Sequence, residues 1–135
     1  MDQGTPKELF QESLNRCAES EEFIPSFYDR FLSASEDVRE KFEHTDFDVQ
    51  NQMLLRSLRI TAGATAGDPD ALRELRARAQ THDRYHLDIE PRLYEIWRTA
   101  LIATASEFDN EWSDDIEHAW DNILGHVIHY MTKFY

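Results

Sequence analysis

Hydrophobic positions along the chain recur at intervals of three and four residues, which is the period of an amphipathic α-helix. Nowhere do apolar and polar residues alternate cleanly over a long stretch, as they would in a half-buried strand. The pattern therefore predicts an all-α chain of about seven helices. We expect these helices to begin at Pro6, near Phe23, at Glu36, Phe47, Pro69, Pro91 and Asp114; the third should end near Phe42, the fourth near Thr61 and the fifth before Tyr85.

Polar residues at the helix starts support these boundaries. Thr5 precedes a proline and lies three residues before Glu8, which is the spacing of a capping box. Asp68, also followed by a proline, and Ser113 stand at two further starts, where a side-chain oxygen can accept a bond from a free backbone N–H. The glycine-containing stretch 63–69 is the one clear loop that the sequence predicts.

The length and the apolar content indicate one folded domain over residues 1–135. Hydrophobic residues make up 41% of the 135 residues and aromatic residues 12%, which is enough for a packed core. The single cysteine, Cys17, excludes an internal disulfide and is expected to be a small buried apolar residue.

The formal net charge of −13 disfavours binding to nucleic acids and to anionic membranes, because both would repel the chain. No apolar run approaches the roughly 18 residues of a membrane span. The N-terminus lacks the basic start and apolar stretch of a signal peptide, so we expect a cytoplasmic protein.

Histidines are the main candidates for metal ligands. His82 and His86 are four residues apart, as in a zinc-protease pair, but Asp83 stands where the general-base glutamate should be, and a zinc hydrolase is disfavoured. His126 and His129, three apart in the last helix, are better interpreted as partly solvated histidines. His82, at a helix end facing aromatic helices, is compatible with a haem site, although one histidine is weak evidence.

A longer series of residues resembles the bacterial globins, the single-domain kind related to the haem domain of flavohaemoglobins. The segment Phe27-Tyr28-Asp29-Arg30-Phe31 looks like the second-helix motif of that family, whose tyrosine points into the distal pocket. Phe42 falls where the family places a phenylalanine against the haem, and Gln50 and Leu54 fall where the distal helix begins.

The second half of the chain continues the resemblance, which covers about Phe10 to Tyr135. His82 corresponds to the proximal ligand, followed by Pro91 and Tyr94 as at the start of the penultimate helix of the family, and Ala119-Trp120 matches the last helix. The resemblance implies a globin fold, a three-over-three helical sandwich that lacks the fourth helix. A four-helix bundle is the alternative, disfavoured by the short third helix and the long central one.

The resemblance also implies a haem b cofactor and a role for each site residue. His82 would bind the iron, and Tyr28 and Gln50 would donate hydrogen bonds to bound dioxygen. The remaining haem contacts would be Phe42, Leu54, His86, Ile89, Tyr94, Trp97 and Val127.

Some assignments stay open within this resemblance. The interval from Phe42 to Gln50 is two residues shorter than in flavohaemoglobins, so Gln52 or Asn51 is an alternative distal residue. His86 is the alternative to His82 in the proximal position, and Arg78 stands where the family usually has a leucine under the haem. The candidates for the haem propionates are Arg84, His86 and Arg59.

The implied function is reversible binding of dioxygen, nitric oxide or carbon monoxide, for storage, sensing or detoxification. Whether the chain is an enzyme stays undecided: a nitric oxide dioxygenase or peroxidase-like activity would need a separate reductase, since 135 residues hold no flavin or nicotinamide module. A haem-free globin-like interaction or sensor domain is the competing class. The protein is expected to be a monomer or homodimer.

Overall fold

The computed structural model describes residues 4–65, 67–82 and 89–133, and of Thr65 only the backbone. Within these ranges all regular elements are α-helices, as the sequence predicts, and none is long and apolar enough to cross a membrane. They are α1 (Pro6–Ala18), α2 (Phe23–Ala34), α3 (Glu36–Lys41), α4 (Phe47–Thr65), α5 (Pro69–His82), α6 (Pro91–Phe108) and α7 (Asp114–Lys133).

The predicted caps form at three helix starts. Thr5 Oγ1 accepts a bond of 3.2 Å from the Glu8 N–H at the start of α1. Asp68 Oδ1 accepts one of 3.0 Å from the Asp70 N–H at the start of α5, and Ser113 Oγ accepts one of 3.3 Å from an amide three residues on. Local chemistry therefore fixes where these helices begin.

The boundary after α4 was predicted too early, because the helix continues past Thr61 to Thr65. Gly63 lies inside the helix, where a Cβ atom would be 3.3 Å from the Cβ of Ala71 on α5. The glycine thus permits a close helix contact rather than a loop. The turn is made by Gly67, whose φ of +88° is readily accessible only to glycine.

The helices pack in two groups of three. In one group α4 lies against α1 and α5, and in the other α6 lies against α2 and α7. The groups meet through contacts of α7 with α1, α4 and α5 and of α2 with α4. The short α3 follows α2, and no helix lies between Lys41 and Phe47, so the predicted globin pattern without its fourth helix is present.

The main core lies where α1, α2, α6 and α7 meet. Phe10 and Trp120 are both fully buried and their rings pack edge to face at 4.7 Å between centroids. The core also includes Leu14, Cys17, Phe23, Phe27, Leu101 and Leu124, each at most 1% exposed.

A buried hydrogen-bond network crosses this core. The indole N–H of Trp120 donates to Ser13 Oγ (2.9 Å), whose hydroxyl donates to Asp109 Oδ2 (2.6 Å). Arg16 donates to both oxygens of the same carboxylate, at 2.6 and 3.0 Å, and the Glu111 N–H donates to Oδ1 at 2.9 Å. The network joins α1 to α7 and to the segment after α6, with its buried polar groups paired.

A second, smaller apolar cluster packs α5 against α7. It consists of Ala79, Val127 and Met131, with Leu75, Tyr94 and Tyr130 packed against it. Alanines are the residues that α5 buries. Helical periodicity would place Leu72 on α5 and Met53 on α4 toward the interior, but they are exposed, at 37% and 40%. Met53 lines an open cavity.

Candidate functional site

A cavity of about 710 Å³ separates the main core from the α5 cluster. It is lined by side chains of α2 to α7 and of the segments before α4 and α6. Nine of the described residues that the sequence nominated for a site line it, namely Tyr28, Phe42, Gln50, Leu54, His82, Ile89, Tyr94, Trp97 and Val127. The fold therefore brings together residues that are up to 99 positions apart in the chain, from Tyr28 to Val127 (127 − 28).

His82 is the last residue of α5, and its ring is oriented by the helix itself. Nδ1 lies 2.7 Å from the carbonyl oxygen of Arg78, one turn earlier, and 3.0 Å from Thr81 Oγ1. A carbonyl can only accept, so Nδ1 carries the hydrogen and Nε2 keeps its lone pair. Burial lowers the pKa of His82; the hydrogen bond to Arg78 opposes this and the Arg78 charge adds to it. The imidazole is thus held neutral, the state in which histidine binds metals.

Tyr28 and Gln50 form a polar pair in the same cavity. The side-chain amide of Gln50, near the start of α4, donates a hydrogen bond of 3.0 Å to the Tyr28 hydroxyl on α2. The phenolic hydrogen of Tyr28 is then free for another acceptor. Burial raises the pKa of Tyr28 to about 12, so the hydroxyl stays protonated.

The alternatives to Gln50 face elsewhere. Gln52 lines a separate groove of about 600 Å³ between α1, α4 and α5. Asn51 does not line the cavity, and its Oδ1 is buried with no hydrogen-bond partner in the described part of the chain. Of the three side chains, only that of Gln50 lines the cavity and bonds Tyr28.

Two aromatic rings pack against Tyr28, and one of them, that of Phe42, lines the cavity. The ring of Phe42 packs edge-on against Tyr28 at 5.7 Å, and that of Phe47 does so at 5.3 Å. Because these rings are rigid and fixed by contacts on several sides, they hold the tyrosine in position. Leu54 and Val127 add buried aliphatic surface.

Tyr94 lines the cavity from α6 but is not a described hydrogen-bond partner of the His82 ring, which is oriented by the Arg78 carbonyl and by Thr81. Burial raises the pKa of Tyr94 above its ordinary value. The Ile89 N–H donates to the His82 carbonyl at 3.0 Å, which ties the end of α5 to the segment before α6.

Several lining residues were not nominated by the sequence. Leu75 and Arg78 lie on α5 at helical spacing before His82, and Met131 lies one turn after Val127. Helical periodicity from the nominated residues would have found all three. For other lining residues, such as Met53, Thr45 and Lys41, no pattern in the sequence indicates a place on the cavity.

Other nominated residues lie elsewhere. Arg59 is not on the cavity: it lines the groove beside α1 and donates to Asn15 Oδ1 at 3.0 Å, so it is wrong as a propionate partner. His86 and Arg84 lie outside the described residues. His126 and His129 are exposed on α7, and the described residues contain no cluster of three or more side chains that could hold a metal ion.

Comparison with known proteins identifies the family of the chain. A family model described as Globin matches residues 25–131. The structure is similar to that of protein PA3967 from Pseudomonas aeruginosa PAO1, described as structurally highly homologous to a human hemoglobin. The TM-score is 0.92 at 30% sequence identity over 97% of this chain and 98% of that one. No curated protein matched the chain. The particular likeness to flavohaemoglobins stays a prediction, but the chain belongs to the globin family.

Proposed function

We propose that this chain binds haem b in the cavity and reversibly binds dioxygen or another diatomic gas there. Globins generally bind haem and diatomic gases, which supports the proposal at the level of the family. The observation that carries it is the presence in one cavity of a neutral, oriented histidine and a hydrogen-bonding pair from other helices. Such a combination suits an iron ligand on one element and a gas-stabilising group on another.

The residues present fit the cofactor. A volume of about 710 Å³ lies within the range of small-molecule sites, and most of the lining is apolar or aromatic. His82 offers Nε2, while its Nδ1 is occupied by a backbone acceptor that fixes the orientation of the ring. Phe42, Trp97 and Leu54 provide flat or aliphatic surface for a macrocycle. When bound, the haem supplies a ferrous iron that takes the gas as a ligand.

The chain contributes the environment of the gas. Tyr28 donates its free hydrogen toward negative charge on a bound ligand, and Gln50 holds the phenol by donating to its oxygen. The raised pKa of Tyr28 keeps that hydrogen in place across the physiological range. Val127 and Leu54 exclude water, which strengthens the hydrogen bond.

Turnover of nitric oxide would need an electron source, and we propose a separate reductase as the partner for any such activity. The same pair would serve oxygen storage or sensing without a reductase.

The first test is the absorption spectrum of the protein supplied with haem, in the ferric, reduced and carbon-monoxide-treated states. We expect a strong Soret band that shifts with carbon monoxide in the natural protein and in His126→Ala, since His126 is exposed and off the cavity. His82→Ala should weaken the band. No band above free haem, in a protein still helical, would overturn the proposal and favour the haem-free interaction domain.

The second test separates the distal residues by the rate of oxygen dissociation. Tyr28→Phe should speed dissociation by about tenfold or more, because a hydrogen bond to a charged group contributes roughly 1.5–3 kcal/mol. Gln50→Leu should also speed it, through loss of the group that orients the phenol. Gln52→Leu is the matched control, since Gln52 faces the separate groove. A larger effect of Gln52→Leu than of Gln50→Leu would contradict the distal assignment.

A further inference from the structure

Arg78 is a cation on the cavity wall whose guanidinium has no counter-charge among the described residues. It is partly buried, and none of the hydrogen bonds or ion pairs found in residues 4–65, 67–82 and 89–133 involves its guanidinium. The acidic residue one turn earlier, Glu74, is the usual partner for an arginine at this spacing. Glu74 instead accepts a bond of 2.7 Å from Arg56 on α4.

The other described arginines that are partly buried are paired with carboxylates. Arg16 binds Asp109, and Arg98 binds Asp121. Arg76, two residues before Arg78, is exposed and therefore hydrated. Arg78 is neither paired within the described residues nor fully hydrated, and a guanidinium beside apolar surface is costly in that condition.

The other charged groups on the wall do not take this role. Glu40 and Glu74 are themselves acidic, and Glu74 is bonded by Arg56. Lys41 is exposed and already interacts with another group of the protein. The His82 imidazole is held neutral, and its Nε2 is left available as a metal ligand. A negatively charged group on the occupant of the cavity would therefore find its free partner at Arg78.

We propose that Arg78 binds a carboxylate at the edge of the molecule that fills the cavity, which under the proposed function is a propionate of haem b. This inference rests on that function and assigns a residue that stands where the family usually has a leucine. Arginine suits the task because its planar fork binds both oxygens of a carboxylate. Because Arg78 is only partly buried, a carboxylate bound to it would remain accessible to water.

The experiment compares two ligands in three proteins. Haem b and haem dimethyl ester, in which the carboxylates are esterified, are loaded into the natural protein, Arg78→Leu and Arg76→Leu. The rate of haem transfer to a high-affinity acceptor protein is then measured. We expect Arg78→Leu to release haem b about tenfold faster, the effect of losing a charge-assisted hydrogen bond, and to release the diester at an unchanged rate. Arg76→Leu should change neither rate.

A second readout uses the protein without haem. Leucine at position 78 removes a cation that has no counter-charge among the described residues and adds apolar surface to the wall, so the urea midpoint of haem-free Arg78→Leu should rise. Weaker haem retention together with a more stable haem-free protein supports the proposal. Replacement of a purely structural arginine would instead lower both haem retention and the stability of the haem-free protein.

Each contrary result has a distinct meaning. Equal acceleration for haem b and the diester, or no acceleration at all in a protein with His82-ligated haem, overturns the inference and leaves the proposed function standing. A lower urea midpoint assigns Arg78 a packing role and also overturns it. Failure of the natural protein to bind haem overturns both proposals.

Discussion

The region around Asp109 and the region around α5 differ in how their buried polar side chains are paired. At Asp109, a carboxylate with no exposed side-chain surface is bonded by Ser13, Arg16 and a backbone N–H, and the surrounding aromatic rings are fully buried. Around α5, the buried residues are mostly small, and a large cavity lies against the helix. Arg78 lacks a counter-charge among the described residues, and His82 keeps a free lone pair.

The difference indicates a division within one small domain between a part that stabilises the fold and a part that is arranged around a ligand cavity. The core formed by α1, α2, α6 and α7 stabilises the fold without any occupant of the cavity. The α5 side has fewer buried apolar contacts, so it gains most from a bound ligand. The following predictions test that division, beginning with the largest expected effect.

Truncation of one leucine on each side should give the clearest contrast. Leu101→Ala should lower the free energy of unfolding of the haem-free protein by about 3.5 kcal/mol, because a fully buried leucine leaves a cavity. Leu75→Ala should cost only about 1 kcal/mol, since Leu75 already borders empty space. Urea unfolding measures both values, and equal losses would contradict the proposed division.

The second-largest loss of stability is expected on removal of the Asp109 carboxylate. Asp109→Ala should cost about 3 kcal/mol, the lower end for breaking a buried ion pair, because Arg16 is 20% exposed and keeps Glu111 within 3.6 Å. Asp70→Ala is the control, an exposed residue paired with Arg73 whose loss should cost at most about 1 kcal/mol. If the two variants lose the same stability by urea unfolding, the network is not a source of stability.

The contribution of Asp109 should depend on pH. Burial raises the pKa of this carboxyl, but bonds from Arg16, Ser13 and the Glu111 N–H outweigh it, so the pKa lies below the ordinary value. A group of this kind stabilises the fold above its unfolded pKa of about 4 and loses that effect as the pH falls through its folded pKa. The stability difference between the natural protein and Asp109→Asn should therefore be constant near neutrality and shrink below about pH 4. A difference that grows on acidification would reverse the assigned sign.

The smallest effect on stability is expected at the distal pair. Tyr28→Phe removes one hydrogen bond, from Gln50, and should change the free energy of unfolding by about 1 kcal/mol or less. The same variant is expected to change oxygen dissociation strongly. A large loss of stability by thermal or urea unfolding would place Tyr28 with the structural core.

Much of the fold followed from local patterns. Thr5, Asp68 and Ser113 marked helix starts because capping depends on neighbours in sequence. The end of α4 was missed because Gly63 was interpreted by its loop propensity, whereas its role depends on Ala71 of another helix. A contact between helices overrode the local preference there.

The order of residues predicted which side chains line the cavity, but it did not predict their hydrogen bonds. The order of residues nominated Tyr28, Gln50 and His82, and the structure places all three on one cavity. Their ring orientation and hydrogen-bond partners depend on distances between helices, which sequence spacing does not contain. For the same reason Arg59 was assigned to the wrong surface. That Arg78 has no counter-charge among the described residues became apparent only because Glu74 bonds Arg56 on α4.

The contact between Gly63 and Ala71 has a consequence for the dimensions of the cavity. Gly63 lies on the helix that carries Gln50, and Ala71 lies on the helix that carries His82. The small side chains at these two positions allow the two helices to approach closely. Side-chain size at position 63 therefore sets the separation of α4 and α5 at this point. Each added carbon would move α5 away from α4 and widen the cavity that lies between them.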